Sequence, residues 1–497
     1  MRETLDSTFM DVAEMLSRYR DKSLSPVEVL ESAIERIETL NPTLNAVGHT
    51  FFDAARAQAK SAERHYARGW DAGLPLAGVP VVVKEDEPIQ GQPWTQGSKV
   101  YEDVIATHTS TFVQRIIDAG AIVHARSTAP EFSSAAFTQS ELWGVTRNPW
   151  NTKYSSGGSS GGSAVALAAG MTTLATGSDV AGSIRTPSSF NGVVGFKPPH
   201  GRVPVDPPFN LDRYCHSGPM ARTVSDCLTM QSVIAGPTST DIASHVPASP
   251  LPGLATHSCA GMRIAVIPAL GDWPVDPDVV ANTAKLVDTL TALGARAEII
   301  EVDLSRAAIM RAAAIHYDHV FGASISAEAS AHPDKVTEYA KEFARWARRT
   351  RGDATFLDGL AIEAELYESI GSLFDTYDAL ITPAVATGGF LAGDDYVGHG
   401  INVAGTELEF YLEAVPAITF NILSSCPVLT IPTGFARNGI PTGTQIVTRP
   451  YDDHTAFSIG LALEKVLPYP NEHPDCYATR RDCSGFETSS DAGLTRM

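Results

Sequence analysis

The residues best suited to chemistry are two serines set among glycines. One lies in Gly157-Gly158-Ser159-Ser160-Gly161. The other, 24 residues on, lies in Asp179-Val180-Ala181-Gly182-Ser183-Ile184-Arg185. A serine hydroxyl can donate, accept or attack, and glycine lets a backbone come close to another group. Gly/Ser-rich segments commonly serve as flexible linkers. A linker would not enclose the apolar run Ala164-Val165-Ala166-Leu167-Ala168-Ala169, nor run on into Val193-Val194-Gly195-Phe196. The stretch reads as buried backbone built around two serines.

Two lookalikes need weighing. Gly157 to Ser163 begins like a phosphate-binding loop, but Gly162 stands where the phosphate-binding lysine is required. Gly157 to Gly161 also matches G-x-S-x-G, the nucleophile elbow, which needs a strand just before it and a histidine downstream. The preceding Trp150-Asn151-Thr152-Lys153-Tyr154 is polar and makes a poor buried strand, and nothing marks His454 as the partner. No H-E-x-x-H occurs, and the 14 histidines lack metal-ligand spacing, so neither a metal nor a cofactor is expected.

The elements that must hold these serines follow from periodicity. Ser25-Pro26-Val27-Glu28 is a capping box opening a helix that Asn41-Pro42 should stop. Helices are also expected over about 8–20 and 54–68. Val81-Val82-Val83 suits a buried strand ending at Lys84, followed by a helix over 109–120 and a strand over 121–125. The same strand–helix–strand order returns over 262–267, 278–293 and 297–302. Segment 305–375 is mostly helical, strands are expected at 193–196, 379–383, 427–432 and 444–447, and a last helix spans 454–466. The fold class is therefore α/β: one large α/β/α domain with a mixed, mostly parallel central sheet covered by helices on both faces.

The expected domain covers 1–467, with N-terminal helices at about 8–70, a core at about 78–235 and a variable helical region at about 305–375. A polar tail, 468–497, follows. The chain has 497 residues, enough for one large domain of this kind, and a net charge of −20, which argues against nucleic-acid and anionic-membrane partners. No run of eighteen apolar residues and no secretory leader is visible. The six scattered cysteines read as reduced thiols of a cytoplasmic protein.

These segments together resemble the amidase signature family. The resemblance rests on G-G-S-S-G-G-S around Ser159 and D-V-A-G-S-I-R around Ser183. Upstream is G-V-P-V-V-V-K, ending at Lys84, 75 residues before Ser159; downstream is G-V-V-G-F-K-P-P-H-G-R-V-P. It continues through Y-D-A-L-I-T-P near residue 380 and P-T-G-T-Q-I-V-T-R-P near 445, and so covers almost the whole chain. It implies an amidohydrolase with Ser183 as nucleophile, Ser159 as bridging serine after a cis Gly158–Ser159 peptide, and Lys84 as general base. The N–H groups of Val180, Ala181, Gly182 and Ser183 match the oxyanion hole, with Asp179 and Arg185 in support. Phe132, Ser133 and Tyr214 are candidates for the substrate pocket, and the aromatic content of the segments expected to wall it, with Trp143, Phe209, Tyr317 and Phe321 besides, suits a bulky or apolar acyl group. The implied partner is a small-molecule amide, with homodimer formation left open. The alternative within the same family is the glutaminase subunit of a tRNA-dependent amidotransferase.

The chemistry agrees with that mapping. Serine is a weak nucleophile until a base takes its proton, and lysine is a base only in its neutral form. Two departures from the family pattern stand out. Ala181 replaces a glycine, which is harmless if its φ is negative, and Glu85-Asp86-Glu87 follows Lys84 where D-N or D-L is commoner. Carboxylates that faced Lys84 would oppose a neutral lysine.

Overall fold

The computed structural model describes residues 7–69, 73–246, 258–467 and 473–474. Eleven strands form one sheet. In chain order they are β1 (Val47–Thr50), β2 (Pro80–Lys84), β3 (Ile122–Ser127), β4 (Leu174–Asp179), β5 (Val194–Lys197) and β6 (His216–Ala221). Then come β7 (Arg263–Val266), β8 (Arg296–Ile299), β9 (Ala379–Pro383), β10 (Val428–Phe435) and β11 (Pro441–Thr448). Their spatial order is β1-β3-β2-β4-β6-β5-β10-β11-β9-β7-β8.

The sheet is mixed, as expected. Parallel pairs β3/β2, β2/β4, β9/β7 and β7/β8 sit toward the two flanks. The middle, from β4 through β6, β5, β10 and β11 to β9, is antiparallel. Parallel pairing therefore holds less of the sheet than the strand–helix–strand units implied.

Alternation along the strands divides the core. Val81, Val83, Leu174, Ile264, Ile381 and Ile446 join one apolar cluster. Val82 and Ala175 point into a second, and Ala265, Leu380 and Val447 into a third. Strands buried on both faces read as continuous apolar runs, which is why Val81 to Val83 stood out. Among the described residues the α-helices are, in chain order, α1 (Val12–Asp21), α2 (Pro26–Leu44), α3 (Phe52–Ala67), α4 (Thr111–Asp118), α5 (Gly161–Ala168), α6 (Arg185–Asn191), α7 (Val224–Ile234), α8 (Pro277–Ala284), α9 (Leu286–Ala292), α10 (Arg306–Tyr317), α11 (Ala323–Ala331), α12 (Glu338–Arg351), α13 (Phe356–Gly371), α14 (Thr419–Ile422) and α15 (Asp453–Glu464). The first cluster packs beneath α1, α4, α7 and α15. On the other face, α5 (Gly161–Ala168) is buried along its whole length. The third cluster packs beneath the helical region α10, α11, α12 and α13. A single π-helical turn, Asp318–Gly322, joins α10 to α11.

Several boundaries differ from expectation. Pro42 does not stop the capped helix, which runs Pro26–Leu44. Asn45 ends it instead, turning left-handed at φ 52°, while the Asn41 side-chain oxygen accepts the N–H groups of Ala46 and Val47 at 2.8 and 2.9 Å. The expected helix over 278–293 is two, Pro277–Ala284 and Leu286–Ala292. The first helix is Val12–Asp21, preceded by a short turn, Ser7–Phe9. The strands β4 and β6 were not anticipated, because Leu-Ala-Thr-Gly-Ser-Asp and His-Ser-Gly-Pro-Met-Ala carry small and polar residues rather than a strand pattern. The polar tail, with Cys476 and Cys483, lies outside the described residues apart from 473 and 474.

Candidate active site

Strand β2 delivers Lys84 to the site. Its side chain is wholly buried, and register fixes where it emerges: Val81 and Val82 pair with Leu174 and Ala175 of β4. The Lys84 N–H donates to Thr176 Oγ1 at 2.9 Å, locking the strand end to β4. The Lys84 Nζ reaches three oxygens: Ser159 Oγ at 2.7 Å, Ser178 Oγ at 2.7 Å and Asp86 Oδ2 at 2.9 Å.

Ser159 stands at the start of α5 with no strand before it, because residues 146–160 cross the site as irregular chain. A nucleophile elbow is therefore not formed, and Ser159's partner is a lysine. The Gly158–Ser159 peptide is cis. Gly158 is required by close approach: a Cβ there would lie 2.7 Å from the Ala135 oxygen and 2.8 Å from the Phe137 nitrogen. The Ser160 N–H donates to the Ser183 carbonyl at 3.1 Å, tying the two serine turns together. Between the hydroxyls of Ser159 and Ser183 no hydrogen bond is formed in this structure.

The acidic triplet after Lys84 resolves residue by residue. Glu85 turns away into its own pocket, accepting from Thr95 Oγ1 (2.6 Å), the Ala129 N–H (2.8 Å) and Trp143 Nε1 (2.6 Å). Burial pushes its carboxyl up to about 7, against the pull of those donors. Glu87 accepts from Ser217 Oγ at 3.0 Å, and burial with the neighbouring Asp86 charge raises it to about 8. Asp86, in between, is the carboxylate that faces Lys84. Its Oδ2 also accepts from Ser178 Oγ (2.7 Å) and Ser133 Oγ (3.1 Å). Sequence reasoning missed both Asp86 and Ser178. Asp86 was visible as a departure from D-N, but the sequence does not say which of three adjacent carboxylates turns inward.

The Ser183 turn is held from below. Asp179 and Arg185, both fully buried, form a two-pronged ion pair at 3.0 and 2.9 Å. Arg185 also donates to the Ala417 carbonyl, Gln445 Oε1 and Asn421 Oδ1 at 2.6–2.7 Å. Burial alone would raise the Asp179 carboxyl, but the Arg185 guanidinium, with Asn421, outweighs it and holds Asp179 well below the usual range. Breaking such a buried pair by removing one partner costs about 3–5 kcal/mol. Asp179 also takes the Gly182 N–H at 2.8 Å and the Ile184 N–H at 3.0 Å. The Gly182 N–H, expected in the oxyanion hole, is thus already engaged. The N–H groups of Val180, Ala181 and Ser183 have no acceptor among the described residues. Ala181 keeps a negative φ while Gly182 takes +98°, so the positive-φ position is the one that retains glycine.

A cavity of about 530 Å³, the open solvent at its mouth included, opens over Ser183, Val180 and Ala181. Phe132, Ser133, Tyr317, Phe321, Phe343 and Leu412 are among its walls, and no charged side chain lines it. Phe132 and Ser133 both adopt φ of 54°, and buried Glu131 anchors their segment to Thr337 at the start of α12. The Tyr317 hydroxyl donates to the Val180 carbonyl at 2.8 Å. Tyr214, expected here, lies outside this cavity; its ring stacks on His316 at 3.8 Å and its hydroxyl donates to Glu363 at 2.7 Å. Trp143 is spent on Glu85. Ile325 and Phe343 were not foreseen, since nothing in the helical stretch marks which face meets the site, and neither was Leu412, which comes from the separate short turn Tyr411–Ala414.

The amidase family model matches residues 28–457. The chain belongs to the amidase signature family. This member is 31% identical over 485 residues to one component of the glutamyl-tRNA(Gln) amidotransferase of Thermosynechococcus vestitus, covering 91% of this chain and 97% of that one. Among solved structures it is similar to a bacterial aryl acylamidase of the amidase signature family, at 25% identity and a TM-score of 0.85, over 93% of this chain and 97% of that one. A 6-aminohexanoate cyclic dimer hydrolase, solved with its substrate, aligns at 26% identity and a TM-score of 0.77, over 94% and 99%. No helix among the described residues of this amidase signature protein is long and apolar enough to cross a membrane. Cys215, Cys227, Cys259 and Cys426 are buried and unpaired to one another.

Proposed function

We propose that this protein hydrolyses a small carboxylic amide through an acyl-serine intermediate on Ser183. The observation that carries this reading is Lys84 Nζ, buried and 2.7 Å from Ser159 Oγ, beside a cavity floored by Ser183 and three open N–H groups. Ser183 Oγ bonds to the substrate carbonyl carbon while its proton passes to Ser159, whose own proton passes to the neutral amine of Lys84; the facing Asp86 carboxylate stabilises the ammonium so formed. The oxyanion is received by the N–H groups of Val180, Ala181 and Ser183; each such donor is worth about 3–4 kcal/mol in the barrier. The C–N bond then breaks as Lys84 returns the proton, through Ser159, to the leaving nitrogen. Water repeats the cycle on the acyl-serine and frees the acid. Esters, anilides and carbamates fit the same steps.

The cavity's lining favours an uncharged, apolar acyl group. That also weighs against the second reading, a glutaminase component delivering ammonia to a partner, which the amidotransferase relatives bring forward. Glutamine presents an ammonium and a carboxylate, and a site for it needs opposite charges that this lining lacks. The test is hydrolysis of a panel of acyl anilides, primary amides, esters, carbamates and glutamine, with Ser183→Ala as the blank. Turnover of apolar acyl anilides, absent in the blank, supports the reading. Turnover restricted to glutamine overturns it in favour of the glutaminase.

A further inference from the structure

Behind the wall of the catalytic cavity lies a second hollow, an open groove of about 1210 Å³. The two share one partition. Along the continuous helical run 306–331, residues 317, 321 and 325 face the cavity, and residues 316, 320 and 324 line the groove. Four-residue spacing makes these two adjacent stripes on one helix.

Across this partition the hollows meet at two ring pairs, and each hollow supplies one ring of each pair. Tyr317, from the cavity, meets Tyr214, from the groove, edge to face at 6.0 Å. Phe321, from the cavity, stacks on Phe209, from the groove, at 5.5 Å with planes 8° apart. The tyrosine pair is pinned at both ends, by Val180 and by Glu363, and both rings are 1% exposed. The phenylalanine pair has no polar tether. Phe209 is 42% exposed, and Phe321 sits in the π-helical turn. Only the phenylalanine pair can be removed or displaced without breaking a hydrogen bond.

The groove is built for an apolar guest. Leu211, Val320, Phe356 and Leu360 line it. Its charged groups are satisfied among themselves: Arg213 and Tyr214 bind Glu363, and His316 binds Asp212. Four of the protein's exposed large apolar side chains, Phe209, Leu211, Phe356 and Leu360, gather here.

We infer that Phe209 and Phe321 set the length of acyl group this enzyme accepts, and that the groove beyond them is an outer subsite for a long uncharged acyl chain. The inference rests on Ser183 being the acylated residue. Its test reads the cavity's length without requiring amide turnover: the rate at which n-alkyl fluorophosphonates of two to twelve carbons label Ser183, followed by intact mass. In that step Ser183 Oγ bonds to phosphorus, fluoride leaves, and the serine proton passes through Ser159 to Lys84. Wild type is expected to label faster with short chains than with long. Phe209→Ala, at an exposed position of the short helical turn Phe209–Leu211, should raise the long-to-short rate ratio about tenfold or more. Adding Leu360→Lys, which puts a charge in the groove, should cancel that gain. An unchanged ratio in folded Phe209→Ala overturns the partition, as does a gain that Leu360→Lys leaves intact. A protein that labels normally with short chains but cleaves no amide defeats the proposed activity and leaves the length test standing. A protein that takes up no probe of any length defeats both.

Discussion

The floor of the site and its helical wall are built in different ways. The floor is backbone and short side chains: two serine turns, which present three open N–H groups, and Lys84 at a strand end, the turns and the lysine held by hydrogen bonds of 2.6–3.1 Å. The wall is long apolar side chains from α10, α11 and α12, held by ring contacts such as Phe343 against Tyr317 at 5.7 Å. Hydrogen bonds fix direction and distance, so the floor has one competent geometry. Apolar contacts fix volume, so the wall tolerates exchange at a modest cost. Floor residues should govern whether any substrate reacts; wall residues should govern which one.

That contrast can be broken by mutation. Ser183→Ala should lower kcat/KM by at least about 10⁴-fold on every substrate, measured as hydrolysis above the blank; residual activity on one substrate class would remove Ser183 from the centre. Arg185→Met leaves Asp179 buried and unpaired and should cost about 3–5 kcal/mol, read by denaturant unfolding. Asp86→Asn loosens the hub that joins Lys84, Ser178 and Ser133, and should lower kcat about 10- to 100-fold alike for short and bulky acyl groups. A loss confined to bulky groups would place Asp86 with the wall. Phe343→Ala should cost about 1–3 kcal/mol in kcat/KM for bulky acyl groups and less for acetyl. An equal loss for both would erase the distinction.

The smallest effect at any one pH comes from Glu85. Its folded value of about 7 lies above the ordinary 4.5, so the folded state holds the proton longer than the unfolded chain. Stability contributed by the protonated form is present below pH 4.5 and is lost as pH rises to about 7. Glu85→Gln removes that loss, so its melting temperature relative to wild type should climb between pH 5 and pH 8. A difference that stays flat with pH contradicts the burial argument.

The same division explains what could be read in the sequence. Gly/Ser spacing around Ser159 and Ser183, and the valine run ending at Lys84, are local patterns that mark each residue singly; only the resemblance to the amidase signature family paired Lys84 with Ser159 in advance, because strand register is not written in either segment. The middle strands β4 and β6 escaped, because glycine and proline stand where branched residues were sought. The wall escaped in part: Phe132, Tyr317 and Phe321 were foreseen as cavity aromatics, but Tyr214 and Phe209 face the groove. A ring one position along a helix changes hollows, and apolar content alone does not say which side it faces. Among the three carboxylates after Lys84, rotamer and burial chose Asp86, a choice made by Ser178 and Ser133, 92 and 47 residues away.

The central claim is that Ser183 carries the acyl group. A slowly deacylated p-nitrophenyl ester, quenched in acid and digested, tests it directly. The account predicts an added acyl mass on the peptide containing Ser183 and none in Ser183→Ala. An acyl mass on Ser159 or elsewhere, or an acylated Ser183→Ala protein, would contradict it.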